Sequence, residues 1–262
     1  MVLLDGKFIS EKIKEEIKIE VQNIKNIGGR TPHLAAVLVG NDGASLTYVG
    51  SKVRSCEKVG FESTLIHLDE NISEDNLISE IDKLNDNDEI DGYIVQLPLP
   101  KHINEEKILM MVNPKKDVDG FHPFNFGKMA QNMDSFIPAT PQGIIELIDR
   151  YDIDTEGKNT VVIGRSNIVG RPISILMSNK SKPGNSTVTL VHSRTPDIPS
   201  FTKKADIIIV ALGIPNFLKS DMIKQGSVVI DVGITRVEDK TKKKGYRIVG
   251  DVDFESVKTK VS

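Results

Sequence analysis

The sequence predicts a two-domain α/β protein built on parallel sheets, and three observations carry that expectation. Short apolar runs alternate with amphipathic stretches along nearly the whole chain. The runs lack polar alternation, so each strand must be covered on both faces, as in parallel sheets flanked by helices. A loop-like segment near the middle of the 262 residues separates three such units from four more.

Taken in order, "HLAAVLVG", "FESTLIHL" and "EIDGYIVQL" read as the first three strands. Between the first two lies "SLTYVGSKVRSCEKVGF", where Val49, Val53, Cys56 and Val59 recur near helical spacing and mark a core-facing helix. After the loop-like "QNMDSFIPA", the runs "TVVIG", "STVTLVHS", "ADIIIVAL" and "SVVIDVG" read as four further strands. Thr140 and Pro141 suit an N-cap and a first helical turn, which divides the chain into residues 1–139 and 140–262. The first part is expected to be a three-layer α/β domain. The second is expected to be a Rossmann-like parallel sheet, with a cleft between the two. Ligands of such sheets sit beyond the carboxyl ends of the strands.

Composition narrows the function. A formal charge of -3, with Lys and Glu spread through the chain, argues against nucleic-acid and membrane-surface partners. The one dense basic run, "KTKKKGYR" at 240–247, is expected to be a solvated loop between strands. No apolar stretch reaches the roughly 18 residues of a membrane span, and the N-terminus reads as neither a signal nor a transit peptide. Cys56 is the only cysteine, which excludes an internal disulfide and suits a reducing, cytoplasmic setting. Five scattered histidines offer no metal-ligand spacing, so no metal is expected.

Several residues stand where chemistry is expected. Tyr48 and Lys52 are i,i+4 on the margin of the apolar stripe, so their side chains are neighbours. Alone, the pair reads as an amphipathic tyrosine and a snorkelling lysine on the core's rim. In "YIVQLPLP", Pro98 and Pro100 end the strand and display Gln96 beyond it. "NPKKDVDGFHP" adds Asp117 and Asp119, and the turn chemistry of "DG" makes a structural role the default for Asp119.

"TVVIGRSNIVGRPISILM" places Gly164 and Gly170 in a strand–turn–helix that favours an anion at the helix start. The following strand ends in His192, Ser193, Arg194 and Thr195, without the acid that would hold a ribose 2′-hydroxyl. Ser193 and Arg194, with Arg165, suit a 2′-phosphate instead, so NADP is expected rather than NAD. Asp197, slightly downstream, is the feature that speaks against it. Gly213 and Gly233 follow the next two strands, where small residues let backbone approach a flat cofactor; ordinary turns are the alternative.

In chain order, "TYVGSK", "LNDNDEIDGYIVQLPLP", "PKKDVDGFHPFN", "IPATPQG", "VVIGRSNIVGRP" and "VIDVGI" resemble the bifunctional methylenetetrahydrofolate dehydrogenase/cyclohydrolase family. The likeness runs from "LLDGKFIS" to "IVGDVDF", essentially the whole chain. It implies that Lys52 is the catalytic lysine, that Tyr48 packs beside the folate, and that Gln96 hydrogen-bonds Lys52. It implies that Asp119 holds the pterin ring, with Val95 and Leu97 beside Gln96 in the substrate site. Gly164, Arg165 and Ser166 would bind the phosphates and ribose of NADP, and Ser193 and Arg194 the 2′-phosphate. Ile234 would meet the nicotinamide end, with Gly213 and Gly233 also at the cofactor. A homodimer is implied as well. The family's chain continues with a Pro-Gly-Gly-Val-Gly-Pro loop and a last helix packed on the first domain, whereas this sequence stops at "VKTKVS". A mobile tail is expected rather than a removed one, because losing a docked helix would expose apolar surface.

The implied chemistry is oxidation of 5,10-methylenetetrahydrofolate by NADP+, then hydrolysis of the methenyl product to 10-formyltetrahydrofolate. Hydride transfer needs positioning more than acid–base help. Hydrolysis needs a proton relay, and a lysine serves as one only when desolvation and a cationic substrate disfavour its ammonium form. A short-chain dehydrogenase also pairs Tyr and Lys four apart, but there the glycine turn precedes the pair; here it follows by more than a hundred residues. A dehydrogenase lacking hydrolase activity and a non-catalytic nucleotide-binding protein remain as alternatives.

Overall fold

The computed structural model describes residues 1–242 and 245–262, which form two compact units. One comprises Asp5–Met129 with Met133–Ala139; the other comprises Met1–Leu4, Ala130–Asn132 and Thr140–Ser262.

In the first unit, α1 (Gly6–Asn26), β1 (His33–Val39), α2 (Gly43–Val59), β2 (Glu62–Leu68), α3 (Glu74–Asp86) and β3 (Gly92–Val95) alternate. They are followed by α4 (Glu105–Met111) and α5 (Pro123–Ala130). The sheet is parallel with order β2-β1-β3, and Ala36 stands level with both Leu65 and Ile94. On one face, Leu77 and Ile81 of α3 and Ile108 of α4 are fully buried in a cluster with Val37 and Tyr93. On the other, Val49 of α2 packs with Ala36, Leu38 and Ile94. Each such aliphatic side chain contributes roughly 1.5–3 kcal/mol by leaving water. Three layers result.

The helix that carries Tyr48 and Lys52 is fixed at both ends. The Asp42 carboxylate accepts from Ser45 N at 2.8 Å, and Gly60, at φ 86°, closes the helix in the left-handed region that glycine tolerates. Cys56, on its apolar stripe, is buried, and burial pushes its thiol above the usual range.

The second unit runs through α6 (Ala139–Arg150), β4 (Asn159–Ile163), α7 (Gly170–Ser178), β5 (Thr187–Val191), α8 (Ile198–Thr202), β6 (Ile207–Val210) and β7 (Val228–Asp231). β8 (Thr235–Glu238), β9 (Tyr246–Val249) and α9 (Phe254–Val257) complete it. Its sheet is wholly parallel, ordered β5-β4-β6-β7, and every residue of the central β6 is buried. The first four residues return to this unit, where Val2 N donates to the Ser262 carbonyl at 3.0 Å.

Three local readings change. α6 begins at Ala139, so Thr140 is its second residue rather than its cap. The antiparallel β8–β9 ribbon was not foreseen, and Tyr246 and Arg247 of the basic run belong to β9, not to a loop. Within that run, Lys243 and Lys244 lie outside the described residues. No helix among the described residues is long and apolar enough to cross a membrane.

Candidate functional site

In the first unit, a lysine and a carboxylate meet beside the carboxyl end of β3. Lys52 Nζ of α2 lies 3.9 Å from Asp119 Oδ1; the lysine side chain is 38% exposed and the aspartate 15%. Tyr48, one turn earlier on α2, is 44% exposed. Asp119 is placed by its neighbour two residues back. Asp117 is 4% exposed, and its backbone bridges Tyr93 of β3. Its carboxylate accepts from Phe121 N at 3.2 Å, His122 N at 2.8 Å and Asn125 Nδ2 at 2.9 Å. The turn role expected of this loop therefore belongs to Asp117, which frees Asp119.

Asp119 accepts no hydrogen bond from the described residues. Burial pushes its carboxyl above the ordinary carboxylate range; the Lys52 ammonium opposes that shift and Asp117 adds to it. A second acceptor stands bare nearby in sequence terms: Gln96, after Val95 and before Leu97, buries Oε1 without a partner. Its Nε2 donates to the Leu97 carbonyl at 2.7 Å. The hydrogen bond expected between Gln96 and Lys52 is thus absent, because α2 presents its lysine to Asp119 instead. Asn125, which holds both Asp117 and the Pro114 carbonyl, went unrecognised in the sequence; a lone Asn on an amphipathic helix carries no pattern that reveals burial.

In the second unit, β4 delivers Gly164 at φ 121°, and a Cβ there would stand 2.2 Å from the Ala211 carbonyl oxygen. Only glycine lets β4 leave the sheet so close to the end of β6. The helix start was expected to supply the anion-binding amides, but Ser166 Oγ already accepts from Val169 N and Gly170 N, and Ser166 O from Arg171 N. The amides left without a partner among the described residues are those of Arg165, Ser166, Asn167 and Ile168, all exposed. The unpaired amides therefore lie in the turn between β4 and α7 rather than in the first turn of α7.

After β5, His192 N donates to Thr195 Oγ1 and Thr195 N to the His192 carbonyl, closing a tight turn that leaves Ser193 and Arg194 exposed. Gly213 follows β6 at φ 69°, Gly233 follows β7, and Ile234 is 59% exposed. A separate cavity of about 500 Å³ lies along β7, but none of these candidate cofactor residues lines it, so the chemistry is assigned to the loops. No group of metal-binding side chains occurs among the described residues.

Parallel sheets with glycine-turn loops in one unit, and a lysine–carboxylate pair at a strand end in the other, define a dinucleotide-dependent enzyme with a separate catalytic unit. The catalytic domain of tetrahydrofolate dehydrogenase/cyclohydrolase matches residues 4–119, and the NAD(P)-binding domain of the same enzymes matches residues 138–262. The chain belongs to the tetrahydrofolate dehydrogenase/cyclohydrolase family. Bifunctional protein FolD of Flavobacterium johnsoniae is 68% identical over all 262 residues, which cover 89% of that protein. Its counterpart in Bacteroides fragilis is 53% identical over the same span, again covering 89%. Among solved structures, the FolD dehydrogenase/cyclohydrolase of Campylobacter jejuni superposes with a TM-score of 0.93 at 47% identity, covering 100% of this chain and 89% of that one. The Trypanosoma brucei enzyme, complexed with NADP cofactor and inhibitor, gives 0.93 at 34% identity, covering 99% and 88%.

Proposed function

We propose that this enzyme oxidises 5,10-methylenetetrahydrofolate with NADP+ and hydrolyses the resulting methenyl cation to 10-formyltetrahydrofolate. The carrying observation is the bare, half-buried carboxylate of Asp119 beside the Lys52 ammonium, in the unit matched by the family's catalytic domain. A pterin offers amino and ring N–H donors, which an unpaired carboxylate and the orphaned Gln96 Oε1 both lack. Residues 1–139 are assigned to the folate and 140–262 to the dinucleotide.

The second unit fits NADP by its own geometry: free amides over 165–168, a glycine where a Cβ would collide with Ala211, and exposed Arg165, Ser193 and Arg194. When bound, the dinucleotide accepts the hydride that leaves the folate's methylene carbon. The chain's task in that step is to orient. Tyr48 packs against the folate, Asp119 and Gln96 fix the pterin, and Val95 and Leu97 carry Gln96 into place.

In hydrolysis, the cationic methenyl substrate disfavours the Lys52 ammonium, which yields a proton to solvent. Water adding to the methenyl carbon then loses a proton to the resulting amine. The carbon–N5 bond then breaks, and Lys52 returns a proton to N5, leaving the formyl group on N10 and releasing one proton overall. The carboxylate of Asp119, 3.9 Å away, holds the amine at the reacting face. A homodimer and a cytoplasmic location complete the reading; one species of monomer mass in solution would contradict the first.

The test is a mixture of protein, NADP+ and methylenetetrahydrofolate followed by absorbance. NADPH formation with later decay of the methenyl band supports both activities. A persistent methenyl band means a dehydrogenase alone, and no change means neither.

A further inference from the structure

Two aspartates to which the sequence reading gave no role tie together the loops of the second unit. Asp251, wholly buried, reaches across to the end of β6, where its Oδ2 accepts from Leu212 N at 2.6 Å and Gly213 N at 2.8 Å. Asp231, the last residue of β7, reaches the other way. Its Oδ1 accepts from Gly233 N and Asp251 N, both at 2.9 Å, and its Oδ2 from Val252 N at 3.1 Å. Five backbone amides are therefore held by two carboxylates, with no side-chain cation involved.

The packing around the brace is tight enough to dictate residue type. A Cβ at Gly250 would stand 1.8 Å from Asp231 Oδ2, and one at Gly233 would stand 2.4 Å from Asp251 Oδ1. Both glycines are small because carboxylates fill the space a side chain would need. Asp251 Oδ1 is buried with no donor, so the fold tolerates a half-satisfied carboxylate here. Stability alone does not favour that arrangement: an unsatisfied buried acceptor is a cost.

The geometry points to Asp251 as a positioning residue for the dinucleotide, one that sets the β6 and β7 turns carrying Gly213, Gly233 and Ile234. The inference rests on the assignment of those turns to the cofactor. Asp251 does not touch the ligand. It fixes the left-handed Gly213 turn through two hydrogen bonds to backbone amides and backs Gly233 by contact.

The experiment compares Asp251→Ala and Asp251→Asn with the wild type by direct titration with NADP+, by KM for NADP+ and for the folate, and by thermal melting. Loss of both amide acceptors in Asp251→Ala is expected to weaken NADP+ roughly tenfold or more, while the folate KM moves less than about twofold. Asp251→Asn keeps an oxygen for the two amides and is expected to recover most of that loss. Wild-type NADP+ affinity in Asp251→Ala overturns the inference. So does an Asn variant that melts normally yet binds as weakly as the Ala variant, since position and not charge is claimed. If Asp251→Ala does not fold, Gly213→Ala strains the same turn without meeting any atom within 4 Å, and undiminished NADP+ binding there likewise overturns it. A wild-type protein that fails to bind NADP+ sinks the cofactor assignment itself, a result distinct from either variant outcome.

Discussion

Lys52 Nζ stands 3.9 Å from Asp119 Oδ1, beyond hydrogen-bonding distance but within reach of a strong Coulomb attraction, and neither group has another partner among the described residues. Two groups held apart in this way are poised to take up a ligand's donors and acceptors without first breaking a tight ion pair.

Lys52→Met removes the amine proposed as proton relay and keeps the apolar stem. Hydrolysis of methenyltetrahydrofolate is expected to fall about 10²–10⁴-fold, the usual contribution of a positioned acid–base group. Wild-type decay of the methenyl band in this variant would falsify the assignment.

Asp119→Asn should separate stability from function. Because burial raises the folded-state value of Asp119 above that of the unfolded chain, the folded state holds more protons between the two values. Stability contributed by this group is therefore complete below the unfolded value and is lost as pH rises through the folded one. The Asn variant is expected to be more stable than the wild type at neutral pH, with the gain vanishing toward acid. Its KM for folate should rise about tenfold. Melting curves across pH that show the same gain at every pH would contradict this account.

Arg194→Glu places a negative charge in the exposed turn after β5. Affinity for NADP+ is expected to drop roughly 10–100-fold, while NAD+, which lacks the 2′-phosphate, changes little. Equal losses for the two cofactors would move the 2′-phosphate elsewhere.

Gly164→Ala meets both a backbone oxygen at 2.2 Å and a φ of 121°. A loss of about 3 kcal/mol or more is expected, since backbone on both sides must shift. Denaturant titration against the wild type measures it directly.

Glu11 of α1 is held at about 2, well below the usual 4.5, by hydrogen bonds from Lys14 and then Lys58, the latter reaching from α2. A depressed carboxylate contributes above its unfolded value and loses that contribution as pH falls through the folded one. The difference between wild type and Glu11→Gln is therefore expected to be greatest above pH 4.5 and to close as pH nears 2, as followed by acid unfolding.

All seven parallel strands were legible: β1, β3, β4 and β6 are buried and apolar, and the more exposed β2 and β5 still show short apolar cores set between helices with a 3.6-residue period. The β8–β9 ribbon was not, since Thr235–Glu238 and Tyr246–Val249 are only four residues each, carry charges among their apolar residues and flank a lysine-rich stretch of sequence. Around the candidate site, the sequence names residues but not the partners they meet. Lys52 is separated by dozens of residues from both Gln96 and Asp119, so spacing does not choose between them, and the fold sets it beside Asp119. Nor does spacing reveal that Ser166 occupies the first amides of α7, or that Asp231 and Asp251 reach across to each other's segments.

The sealed thiol of Cys56 has a practical corollary. In the native fold, alkylating reagents meet a silent background, so a cysteine engineered onto any loop becomes the sole point of attachment for a fluorophore or spin label. Movements of the turns around Gly164 and Gly213 can be watched in a protein whose chemistry is otherwise untouched.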